Sequence, residues 1–201
     1  MEPITNRTDS AASASDILRQ YRIYNPFLAI APLDPGSDRL WGNAPLEQRY
    51  HRAPDWKPDQ WPDNANVAIA TGARNRLIVI SLTTNSASSD FMDSLAEHES
   101  DLSPYAVRTP TGVQWYYRLR YDRTRTPTAP ATIADPGFHA IMEGQYVVAA
   151  GSIVNGTKCK ALLDQTLDIL HLPELPRHFA DGLGFSEAPI PPIFQHRPRL
   201  I

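Results

Sequence analysis

The sequence predicts an α+β fold, a mixed β-sheet core with flanking helices. Three observations carry that reading. Short apolar, β-branched runs at 66–72 and 77–83 have the length of buried strands. Stretches near 15–24, 90–99 and 161–170 place apolar residues at helical spacing. Strands and helices alternate without the regular βαβ rhythm of a wound parallel sheet.

Residues 1–13 are rich in Ser, Thr, Ala and Asn and are expected to be disordered. Ser15 or Asp16 caps a helix reaching about Tyr24, with Ile17, Leu18, Tyr21 and Tyr24 near helical spacing, and Asn25-Pro26 stops it. Residues 27–31 read as a buried strand ending at Pro32, and 34–37 as a turn. Residues 41–63 are irregular, with a short helix at 46–52 and with Trp56 and Trp61 covering core among prolines. The runs 66–72 and 77–83 read as paired strands joined by Ala73-Arg74-Asn75-Arg76.

Residues 86–89 cap a helix over 90–99, with Phe91, Leu95 and Met92 as its core candidates. Strands follow at 105–109 and 113–120, joined by Pro110-Thr111-Gly112. In the second, Val113, Trp115, Tyr117 and Leu119 share one face, and Gln114, Tyr116, Arg118 and Arg120 the other. A Thr- and Pro-rich loop spans 122–136. Residues 138–141 and 146–150 read as another strand pair around Glu143-Gly144. A helix over 161–170 would use Leu162, Leu163, Leu167 and Leu170, and 172–176 ends the compact part. The expected organisation is a tail at 1–13, one domain over 14–180 and a Pro-rich tail at 181–201.

Composition excludes several classes. With 201 residues, 42% of them apolar and 20% charged, the chain has the make-up of one soluble domain. A net charge of −3 is not that of a generally basic nucleic-acid binder, although a local basic face can hide in such an average. Cys159 is the sole cysteine, so neither a disulfide framework nor a cysteine zinc site is available. No apolar run approaches the ~20 residues that cross a bilayer, and the N-terminus lacks a signal-peptide pattern. The expectation is a soluble cytoplasmic protein with no membrane partner.

The chemical question concerns Ser81 and Thr83. Residues i and i+2 of a strand share a face, so two aspartates so placed could hold divalent cations for phosphoryl transfer. Neutral hydroxyls offset no Mg²⁺ charge and compete poorly with its water shell.

Asn66-Val67-Ala68-Ile69-Ala70-Thr71-Gly72 followed by Leu77-Ile78-Val79-Ile80 resembles the N-terminal bifunctional DNA primase/polymerase (Prim-Pol) domain of the archaeo-eukaryotic primase superfamily. Four further blocks agree in order: Ala31 to Ser37 with its Pro-Gly-Ser turn, Leu95 to Glu99 ahead of Val107-Arg108-Thr109, Thr109 to Gly112, and Tyr146 to Ser152. The resemblance covers about 15–179 and implies a primase-polymerase fold with an RRM-like catalytic core. It also implies two metal-binding aspartates, which fall on Ser81 and Thr83. The histidine that holds the nucleotide phosphates falls on Trp115, and the third acid on or near His139. A basic position falls on Ile141, and the usual lysine on Asp38. So many absences together resemble a Prim-Pol fold that no longer polymerises. No catalytic residue and no cofactor are then expected, with Mg²⁺ or Mn²⁺ relevant only to residual activity. Glu143, Asp90, Asp93 and Asp135 are the acids that a displaced cage would draw on. Trp115 reads as core filler able to plug the nucleotide pocket, and His139 as structural.

What remains is Arg108, Tyr116, Arg118, Arg120, Arg123 and Arg125, cations with interleaved aromatics of the kind that bind single strands. A solvated strand face is the competing reading, as it is for the smaller pair Arg74 and Arg76. The leading expectation is a non-catalytic nucleic-acid-binding or replication accessory protein, with a mobile element as its expected source. It would meet single-stranded DNA or a primer–template, and a separate replication protein. A protein–protein adaptor using the groove or the tail segment 189–194 is the first alternative, and an active polymerase with displaced ligands the second.

Overall fold

The computed structural model describes residues 14–22, 25, 28–33, 39–43, 61–62, 64–119, 135–162, 166–183 and 185. The two tails at 1–13 and 186–201, the turn at 34–37, Asp38, the helix expected at 46–52, Trp56, and Arg120, Arg123 and Arg125 lie outside the described residues. No helix among the described residues is long and apolar enough to cross a membrane.

The fold is α+β. In chain order come α1 (Ala14–Arg22), β1 (Ile30–Leu33), β2 (Trp41–Asn43), β3 (Asn66–Ala70), β4 (Leu77–Leu82), α2 (Asn85–Glu97), β5 (Ala106–Thr109), β6 (Gly112–Arg118), β7 (Phe138–Ile141) and β8 (Gln145–Val148). Three short strands, β9 (Ile153–Val154), β10 (Thr157–Lys158) and β11 (Lys160–Ala161), a 3-10 turn at Ile169–His171 and α3 (Arg177–Gly182) complete it. One sheet has the order β1-β3-β8-β2, a second the order β11-β5-β6-β4-β7, and β9 and β10 form a ribbon. The ladders are antiparallel, and a parallel bridge joins Arg118 to Glu174.

All six residues of β4 are buried, because β6 and β7 flank it and both of its faces are covered. On one face Leu77 and Val79 join Tyr116, Ile141, the four-stranded sheet and Ile17, Leu18 and Tyr21 of α1. On the other, Ile78, Ile80 and Leu82 pack with Tyr117, Phe138, Phe91 of α2 and Phe179 of α3. Pro32 lies inside β1, which is an edge strand and tolerates the missing N–H. Thr84 caps α2 by accepting from the Ala87 N–H at 3.1 Å, so the helix begins ahead of the serine run expected to cap it.

Two expected pairings are corrected. β3 and β4 belong to different sheets and share only the bridge Gly72–Leu77, and β7 and β8 are likewise split between the sheets. Both runs therefore cross from sheet to sheet at one corner. Asn75 fills it, accepting from the Ala29 N–H at 2.7 Å and donating to the carbonyls of Ala29 and Ala70. Gly72 has φ +80°, and a Cβ there would meet the Glu143 backbone at 2.6 Å, so glycine is required on both counts.

The helix expected over 161–170 is also absent from the described residues of that stretch. Residues 160–161 extend the five-stranded sheet, Leu170 is 70% exposed, and among the described leucines of the stretch only Leu167 is fully buried. Asn25 holds the segment instead, donating to the Leu167 carbonyl and accepting from the Ile169 N–H at 3.0 Å. Packing also continues past residue 180, with Leu183 and Phe185 buried.

α3 docks on the end of α2 through two imidazoles. The rings of His98 and His178 stack at 4.0 Å and 12°, and His98 Nδ1 lies 2.9 Å from the Ser94 carbonyl. Burial, then the neighbouring His98, push the His178 pKa down, while Glu97 and Asp181 pull it upward. A depressed histidine stabilises the fold above the unfolded value near 6.5, and that contribution is lost as pH falls through the folded value. The melting temperature of the wild type is therefore expected to fall more between about pH 8 and pH 5 than that of His178→Gln. Parallel curves would mean that the pair carries no such linkage.

Candidate functional site

The register sets the site. Ser81 of β4 lies opposite Gln114 of β6 on one side and His139 of β7 on the other, so the three share one row and one face. Thr83 is the next residue on that face; its N–H donates to the Gly137 carbonyl at 2.8 Å, and its hydroxyl reaches the same oxygen at 3.3 Å. Gly112 passes so close that a Cβ would meet the Leu82 carbonyl oxygen at 1.9 Å, which pins β6 against the end of β4. Trp41 of β2 closes the flank, its ring 5.2 Å from that of His139, and so bridges the edge strands of the two sheets.

The donor set holds no carboxylate: a hydroxyl at Ser81 and at Thr83, an amide at Gln114 and an imidazole at His139. Hard divalent cations want carboxylate oxygens in number, and these residues do not fit Mg²⁺. Among the described residues no group of three or more His, Cys, Asp or Glu is placed to hold a metal ion. The acids considered as substitutes are engaged or displaced. Glu143 sits in the corner turn and accepts from the Ala73 N–H, past the far end of the strand that carries His139. Asp135 is near Thr83, but it is tied to its own turn. The Gly137 N–H, donating at 2.6 Å, holds its carboxyl below the usual carboxylate range, and the hydroxyls of Ser86 and Thr84 assist. Asp90 and Asp93 stand exposed on α2.

Gln114 is the residue that sequence reasoning missed. It is fully buried, and neither Oε1 nor Nε2 has a hydrogen-bond partner. An orphaned buried amide costs about 1–3 kcal/mol, so Gln114→Leu is expected to raise stability by about that amount in urea titration. A loss instead would reveal a partner for the amide. Its signal in the sequence was parity alone: on β6 it shares the face of Ser81.

By the same parity Trp115 does not share that face. It lies opposite Ile80 and Ala106, turned toward the side of α2, and is only partly buried. It therefore plugs no pocket beside Ser81, and that expectation is corrected.

The arginine–tyrosine cluster is also rearranged. Tyr116 is fully buried, its ring 5.0 Å from and nearly perpendicular to that of Tyr105, so no base can stack on it. Around Tyr116 that face of β6 is covered by the four-stranded sheet and α1. Arg118 reaches Glu174 at 3.3 Å. Arg108 is exposed, but it pairs with Val113, so it lies about 16 Å along the sheet from Arg118 and on the opposite face. Arg108 and Arg118 are thus not one surface.

The sequence profile described as bifunctional DNA primase/polymerase, N-terminal, matches residues 25–178, whereas no curated protein matches the chain. That match spans both sheets and the row around Ser81, and the chain belongs to the Prim-Pol family.

Proposed function

We propose that this Prim-Pol domain does not transfer nucleotides and serves replication as a nucleic-acid-binding accessory. The observation that carries the reading is the carboxylate-free row Ser81–Gln114–His139, with Thr83 beside it, where two-metal chemistry needs a cage of carboxylates. Such a row can accept and donate hydrogen bonds, but it cannot gather the charge that stabilises a transferring phosphoryl group. Exposed cations on the sheet, Arg108 among them, leave a means of holding a phosphate backbone. A replication protein acting on the same strand is the partner this role requires, and the cytoplasm of a host or its mobile element is the setting that suits it.

Primer synthesis and primer extension with Mg²⁺ and with Mn²⁺ test the first half, and no template-directed product is expected. Chain growth by the purified protein would overturn it and favour an active enzyme with displaced ligands. Filter binding of single-stranded DNA against salt tests the second half, with affinity expected to fall steeply as salt rises. No binding even at low salt would favour the adaptor reading.

A further inference from the structure

We infer that α3 is an acid-released latch: protonation of the stacked pair His98 and His178 frees residues 176–185 and uncovers the aromatic cluster beneath, while the two sheets stay closed. The linkage of His178 to melting concerns the whole fold; the latch confines opening to one element at the end of the domain.

The two rings stack at 4.0 Å and 12°, which suits neutral imidazoles and sets like charges face to face once both are protonated. His98 Nδ1 is already engaged with the Ser94 carbonyl at 2.9 Å. His178 Nε2 is buried without a hydrogen-bond partner, so the docked helix offers no acceptor to the Nε2–H that an imidazolium must carry. Release delivers that N–H to water. The charged groups around the pair are Glu97 of α2 and Asp181 of α3, which favour the proton. Arg177 takes part of the Asp181 charge through an ion pair at 3.6 Å. Burial first, and then His98, outweigh the two acids and keep His178 neutral while docked.

The helix is also built to leave alone. It has six residues, where isolated helices need about 12–15, and Pro176 at its start supplies no side-chain cap. Its hold is therefore docking. Phe179 lies 5.0 Å from Phe91 and 6.1 Å from Phe138, and Ala180, Leu183 and Phe185 join the same cluster. Just upstream the chain is clamped to β6. The Arg118 N–H donates to the Pro173 carbonyl at 2.8 Å, and the Leu175 N–H to the Arg118 carbonyl at 3.2 Å. Opening that starts at α3 stops at that clamp.

The test uses the full chain with Ala180→Cys, and separately Leu183→Cys as a second reporter, both at buried positions. The probe is dithiodipyridine, which reacts with thiols in acid as well as at neutral pH. Cys159, the sole native cysteine, is fully buried in the other cluster and reports opening of the whole domain. With rates divided by those of a free thiol, the reporter is expected to label at least about fivefold faster at pH 5 than at pH 7.5. The ceiling is about 30-fold for each histidine that titrates near 6.5 once released. Cys159 is expected to stay protected at both values. His178→Phe, which keeps a stacking ring that takes no proton, is expected to lose the acceleration. Equal labelling at the two pH values, or an acceleration that survives His178→Phe, overturns the latch. Cys159 labelling in step with the reporter at pH 5 overturns it too, because the sheets then open with α3.

Discussion

Ser81→Asp is expected to lower the stability of the domain by about 4 kcal/mol at neutral pH and to restore no nucleotide transfer. Ser81 is 2% exposed, and an unpaired carboxylate at such a site has its pKa raised by about three units, each worth about 1.4 kcal/mol. On its row only His139 can carry a compensating positive charge, so adding His139→Gln should deepen the loss. The sign fixes the pH window. A raised folded value means that the folded state holds the proton more tightly than the unfolded chain. The penalty is therefore absent below about pH 4 and grows as pH rises through the folded value. Urea titrations at acid and neutral pH, with and without Mn²⁺, read all of this. A variant as stable as wild type at neutral pH, or one firmed up by Mn²⁺, would mean that a cation seat has persisted beside β4.

Phe91→Ala is expected to cost about 3–5 kcal/mol. Phe91 is 1% exposed and sits where three elements meet: its ring lies 5.0 Å from Phe179 of α3 and 6.4 Å from both Tyr117 and Phe138 of the sheet. Truncation opens a cavity that rings held by a ladder and a short helix cannot collapse to fill. The melting temperature should drop on the order of 10 °C. Phe91→Leu, which keeps most of the volume, should cost far less. Equal losses for the two would show that the ring contacts, rather than the void, set the penalty.

The elements legible in the sequence were those decided locally. β4 announced itself as six apolar or small residues in a row, and α2 by Phe91 and Leu95 four apart, although its cap lies at Thr84 rather than in the serine run. The partners of β3, β4, β7 and β8 were not legible, because the turns after β3 and β7 look like hairpins until a distant strand claims each arm. The stretch at 161–170 misled for a related reason. Its leucines keep helical spacing, yet Asn25, far away in sequence, takes the backbone groups that a helix would have used. At the site, Ser81, Thr83 and His139 were found by likeness to a family and do share a face. Gln114 and Trp115 exchanged roles because the ladder sets parity by its register, which no single strand reveals.

The corner where both runs change sheets also bears on synthesis. β8 lies between β3 and β2, so the smaller sheet stays incomplete until residues 145–148 leave the ribosome. While residues 71–144 are made, β3 offers an unmet row of amides and carbonyls on one side, the kind of template that invites pairing with a stranger. Such a nascent chain has reason to need a holding chaperone until β8 arrives.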